Sequence, residues 1–112
     1  MAKKGKIFQK MAAINANTTL ELTVSKTGGP VVTAVEVGST GNDDQSFSDN
    51  DLTPGPATKQ LNGNNSYALV WSGAFVTQGS ATLHVDVGGT NVKTVPVNGQ
   101  AGDTFFRSVL IP

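Results

Sequence analysis

Apolar residues in this chain recur at every second position, and no segment sustains a helical period. In NTTLELTVSK, Leu20, Leu22 and Val24 point one way while Thr19, Glu21, Thr23 and Ser25 point the other, which marks a strand with one dry and one wet face. PVVTAVEVG, ATLHVDV and TNVKTVPV continue the pattern, whereas SYALVWSGAFV and TFFRSVLI are apolar on both sides. The first of these two reads as a central strand. Turn residues separate the runs about every eight to twelve positions, so the expected fold is all-β: an antiparallel two-sheet β-sandwich of about seven to nine short strands. Jelly-roll-like winding is the first expectation and an immunoglobulin-like order the second, since no local signal fixes strand order.

Two turns carry specific expectations. Thr27-Gly28-Gly29-Pro30 reads as a compact turn joining the first two strands in an antiparallel hairpin. Gly88-Gly89 suits a two-residue turn of primed type, which needs a positive φ that glycine adopts without a Cβ clash. Pairing outward from it sets Asp86 against Asn91, Val85 against Val92 and His84 against Lys93, then Val95 against outward Thr82. A bulge or the end of pairing is expected there, in agreement with Pro96, which has no N–H to donate.

At 112 residues the chain makes one domain that removes roughly two thirds of its unfolded surface from water. Residues 1–16 read as a basic N-terminal arm or first edge strand, with Lys3, Lys4, Lys6 and Lys10 as contacts for a partner in competition with a frayed terminus; residues 17–112 form the sandwich, with a long acidic loop at 39–56. MAKKGKIFQKMAAI lacks the apolar core of a signal peptide, and no run is long enough for a membrane span. Synthesis in the cytoplasm, with association to a virion, is the expected location. The absence of cysteine removes disulfides, thiolate metal sites and cysteine nucleophiles.

Eight basic and eight acidic residues balance, and charged residues make up only 14%, against a typical figure near 25%. Asn, Ser, Thr and Gly must then carry the surface. Such an exterior offers no broad positive field for nucleic acid. It suits packing against copies of itself or a place outside a cell.

Catalytic patterns are absent from the sequence. His84, the single histidine, shares a strand face with Asp86 but has no G-x-S-x-G nucleophile elbow to serve. No glycine-rich loop opens a helix to cradle phosphate. Glu21 and Glu36 read as cross-strand neighbours in the first hairpin rather than as a glycosidase pair. No enzyme is expected.

Two binding chemistries compete with structural readings. GNDDQSFSDND places Asp43, Asp44, Asp49 and Asp51 in eleven positions, and four clustered carboxylates repel unless a cation or water screens them. Counted from Asp49 as a helix-loop-helix calcium site, the chain supplies Pro54 in place of glycine and Gln60 in place of glutamate, so a solvated loop competes with an irregular calcium site. Tyr67 and Trp71 alternate onto one face and could stack a sugar ring; the competing role is core packing with a satisfied indole N–H. Phe105 and Phe106 should face opposite sides.

The function expected from these features is a non-catalytic structural or assembly protein, such as a small virion capsid or decoration component, whose partners are its own copies or other structural subunits. The alternative is a carbohydrate-binding, lectin-like module assisted by calcium, the one cofactor the residues suggest.

Overall fold

The computed structural model describes residues 17–112; the arm lysines Lys3, Lys4, Lys6 and Lys10 lie outside the described residues. Alternation resolves into β1 (Thr18–Gly28), β2 (Val31–Ser39), β3 (Gln45–Phe47), β4 (Ala57–Leu61), β5 (Tyr67–Phe75), β6 (Gly79–Val87), β7 (Thr90–Gly99) and β8 (Thr104–Ile111). These form two antiparallel four-stranded sheets packed as a sandwich, ordered β4-β1-β6-β7 and β3-β2-β5-β8. The inward sets, among them Leu20, Leu22 and Val24 from β1, Val35 and Val37 from β2, Leu69 and Trp71 from β5, and Leu83 and Val85 from β6, are each at most 1% exposed. Burying each aliphatic side chain contributes about 1.5–3 kcal/mol.

The Gly28–Pro30 turn does not make a hairpin. β1 and β2 lie in opposite sheets, each pairing with other strands, and the turn arches between the layers so that the two apolar faces meet across the core. A second arch, between β5 and β6, stacks on it: the Gly29 N–H donates to the Gln78 carbonyl and the Val76 N–H to the Pro30 carbonyl, both at 2.9 Å. A third arch joins β7 to β8 and bonds to Phe75 through the Phe75 N–H and the Gly102 N–H, each 2.8 Å from its acceptor. The contact requires glycine. A Cβ on Gly28, at φ +81°, would sit 2.9 Å from the Gly79 Cα, and one on Gly79 would sit 2.9 Å from the Thr27 and Gly29 carbonyl oxygens.

The Gly88-Gly89 turn forms with φ of 61° and 81°, and Asp86 pairs with Asn91 as expected. The bulge comes earlier than expected, at Val92, so that Val85 faces Lys93, His84 faces Thr94 and Leu83 faces Val95. A slip of one residue exchanges the faces of a strand. Here it turns Val95 and Val97 toward the core in place of Thr94 and Pro96. Pro96 stays in β7 because β7 is an edge.

The acidic stretch is more ordered than a plain connection. Besides β3 it contains a single-turn helix, α1 (Asp49–Leu52), whose Leu52 is fully buried. No helical period announces so short an element.

β1 pairs with β4 while β3-β2-β5-β8 face them, which is the neighbour scheme of immunoglobulin-like sandwiches, with the β6–β7 hairpin added beside β1. Tyr67 adds a device of the same class: from the start of β5 its hydroxyl accepts the Asn62 backbone N–H at 2.9 Å, closing the corner between β4 and β5.

Candidate functional site

The four aspartates do not converge on a common point. Asp43 accepts hydrogen bonds from Lys59 Nζ at 2.8 Å and the Tyr67 hydroxyl at 2.5 Å. Asp44 accepts the Ser39 N–H at 2.8 Å. Asp49 takes Lys26 Nζ at 2.8 Å and the Thr33 backbone N–H at 2.9 Å, while Asp51 caps α1 through the Ser48 N–H at 2.8 Å. Among the described residues no group of three or more His, Cys, Asp or Glu side chains is placed to hold a metal ion. The calcium expectation gains no support from this arrangement, in which each of the four carboxylates accepts at least one hydrogen bond from the protein.

Two of these carboxylates clamp the layers together. Lys59 and Lys26 belong to β4 and β1 of one sheet, and Tyr67 and Thr33 to β5 and β2 of the other. β3 stops opposite Val35, and the Asp49 carboxylate takes up the Thr33 N–H beyond it. The Lys59 hydrogen bond, followed by that of Tyr67, holds the Asp43 carboxyl below the usual range. At Asp49 burial pushes upward, but the Lys26 ammonium and the Thr33 N–H outweigh it, and the net displacement is again downward. Both groups therefore stay ionised. The sequence did contain a signal for this. In ATKQL, Lys59 falls on the same face as Ala57 and Leu61, and a lysine placed on an apolar face needs a carboxylate.

The proposed sugar platform lies inside the core. Tyr67 and Trp71 are 6% and 0% exposed, so their ring faces are closed to a ligand. Trp71 packs edge-to-face on Phe105, with centroids 4.7 Å apart. Its indole N–H has no hydrogen-bond partner among the described residues, in contrast to the satisfied donor expected. The remaining chemical candidates are dispersed: His84 sits between Thr23 and Thr94, and Glu21 and Glu36 lie in opposite sheets.

The two outer faces of the sandwich differ in chemistry. On the β1 sheet, Thr19, Glu21, Thr23, Ser25 and Thr27 of β1 run beside Ser80, Thr82, His84 and Asp86 of β6, giving a polar surface rich in hydroxyls with two carboxylates. On the other sheet the outward positions are Val32, Ala34, Glu36 and Gly38 on β2, Ala68, Val70, Ser72 and Ala74 on β5, and Thr104, Phe106, Ser108 and Leu110 on β8. Only Glu36 among them carries a charge, and its carboxylate accepts the Ser46 hydroxyl at 2.7 Å. Val32, Phe106 and Leu110 are 56%, 65% and 82% exposed. The alternation of TFFRSVLI predicts that Phe105 and Phe106 part, which they do. The three-strand extent of the face depends on strand order, which the sequence leaves open.

A polar trough of about 650 Å³ lies at the arch end, walled by Thr27, Gln78, Ser80, Asn98, Gln100 and Asp103. No protein-family model matches the chain, and neither a curated protein nor a solved structure matches it. Among the described residues no helix is long and apolar enough to cross a membrane.

Proposed function

We propose that this protein is a non-catalytic assembly subunit, which associates with its own copies or with other structural subunits, as shell and virion components do, through the outer face of the β3-β2-β5-β8 sheet. The observation that carries this reading is the contrast between the two faces. Two large apolar side chains, Phe106 and Leu110, stand exposed on a three-strand surface with one charge, while the opposite face is coated with hydroxyls. Contiguous apolar surface of this kind marks interaction sites. Sedimentation velocity over a wide concentration range tests the proposal: the weight-average mass should rise with concentration and change little with salt, because the contact is apolar. A chain that stays monomeric throughout overturns it.

A second reading, glycan binding, draws support from the polar trough, whose hydroxyl and amide groups suit a polyhydroxylated ligand. It no longer involves Tyr67 and Trp71. A glycan array that gives no signal would eliminate it.

A further inference from the structure

We propose that two copies pair face to face through the β3-β2-β5-β8 sheet, about a two-fold axis running along β5, so that Phe106 and Leu110 of each copy seat over Ala34 and Gly38 of the other. The inference rests on the assembly reading and adds the partner and the geometry to it.

The register supplies the argument. Outward residues form four rows across the sheet: Val32–Ala74–Thr104, Ala34–Ser72–Phe106, Glu36–Val70–Ser108 and Gly38–Ala68–Leu110. A two-fold axis along the middle strand keeps each row in place and exchanges β2 with β8. Phe106 then meets Ala34, Leu110 meets Gly38, Val32 meets Thr104 and Glu36 meets Ser108, with the residues of β5 opposite themselves. The two largest side chains, Phe106 and Leu110, each face a small one. The surface relief agrees, since one hollow of about 420 Å³ lies over Ala34, Ser72 and Ala74 and another of about 360 Å³ over Gly38 and Ala68. Self-complementarity of this kind is the condition for a closed two-fold contact.

Charge selects this axis over one running across the strands. The latter exchanges the second and third rows, setting Glu36 against Ala34 and bringing the two Glu36 carboxylates to within about two residues along the strand, roughly 7 Å. Along β5, each Glu36 instead meets a Ser108 hydroxyl that can donate to it. Three strands at about 4.8 Å spacing and about eight residues at roughly 3.3 Å rise span about 14 by 26 Å. Two such faces cover roughly 700 Å² of flat sheet, which the relief of Phe106, Leu110 and Val32 raises toward the lower end of specific interfaces, about 1,200 Å². A reversible dimer fits that size.

The chain has no cysteine, so Ala74→Cys gives a single reporter. With the axis along β5 two Ala74 positions oppose each other, and a short bifunctional maleimide should link the variant into dimers. With the axis across the strands they lie about six residues apart along the strand, roughly 20 Å, beyond its reach. Phe106→Asp, at an exposed position, should weaken self-association at least about tenfold while circular dichroism stays unchanged, and Thr23→Asp on the hydroxyl face should leave association intact. Concentration-dependent mass without Ala74 cross-linking, or with Phe106→Asp associating as tightly as the wild type, overturns the two-fold pairing and leaves the assembly reading standing. A monomer at every concentration overturns both.

Discussion

Trp71→Phe tests the most unusual feature of the core. Trp71 is fully buried and its indole N–H lacks a partner among the described residues. A buried, unpaired donor costs about 1–3 kcal/mol, and phenylalanine removes that cost. The exchange also gives up a nitrogen and two carbons of packed ring. Transfer loss for the two carbons is about 1.6 kcal/mol at about 0.8 kcal/mol each, and the small cavity left behind adds under about 1 kcal/mol. The opposing terms nearly cancel, so the variant should lie within about 1.5 kcal/mol of the wild type, whereas Trp71→Ala should lose at least about 3–5 kcal/mol. Because Trp71 is the sole tryptophan, unfolding must be followed by far-ultraviolet circular dichroism in urea rather than by fluorescence. A loss of about 3 kcal/mol or more in Trp71→Phe would refute the reasoning, since it would mean that the N–H is bonded in the folded protein.

The clamps predict acid sensitivity with a definite sign. Asp43 and Asp49 titrate below their ordinary range in the folded state, so their contribution is fully present above the unfolded value of about 3.9 and is lost as pH falls through the lower folded values. Melting temperature followed against pH should fall below about pH 4, and Asp49→Asn should flatten that dependence; a variant with the wild-type slope would remove Asp49 from the account. Leu52→Ala should cost about 2–5 kcal/mol in denaturant unfolding, because α1 closes the core with a fully buried side chain. A cost under about 1 kcal/mol would mean that the helix is only a surface turn.

The residues that could be read correctly from sequence are those whose signal is local. Alternation along β1, β2 and β6 identifies inward Leu20, Val35 and Leu83, because successive side chains of a strand point to opposite faces whatever its neighbours are. Gly88-Gly89 specifies its turn through backbone conformation alone. Gly28-Gly29-Pro30 does not, because a hairpin and an arch need the same freedom from Cβ and differ only in which distant strands pair. The acidic loop is legible only in part, through Lys59 on the apolar face of ATKQL. Whether Asp43 and Asp49 meet a cation, water or lysine depends on Lys59 and Lys26, which reach them only when the two sheets face each other. Tyr67 and Trp71 are aromatic on an alternating face in either reading, and only the packing of the opposite sheet decides that the face is covered.

The stacked arches divide the molecule into a stiff pole and a permissive one. Where backbone meets backbone across Gly28 and Gly79, a lengthened connection would force three crossings apart at once. At the opposite pole a Cβ on Gly89 would meet nothing within 4 Å, so the tip of the β6–β7 turn can be extended without disturbing a neighbour. An inserted peptide or a label belongs at that turn, where it would leave the broad face with its single Glu36 charge free for the copy that docks on it.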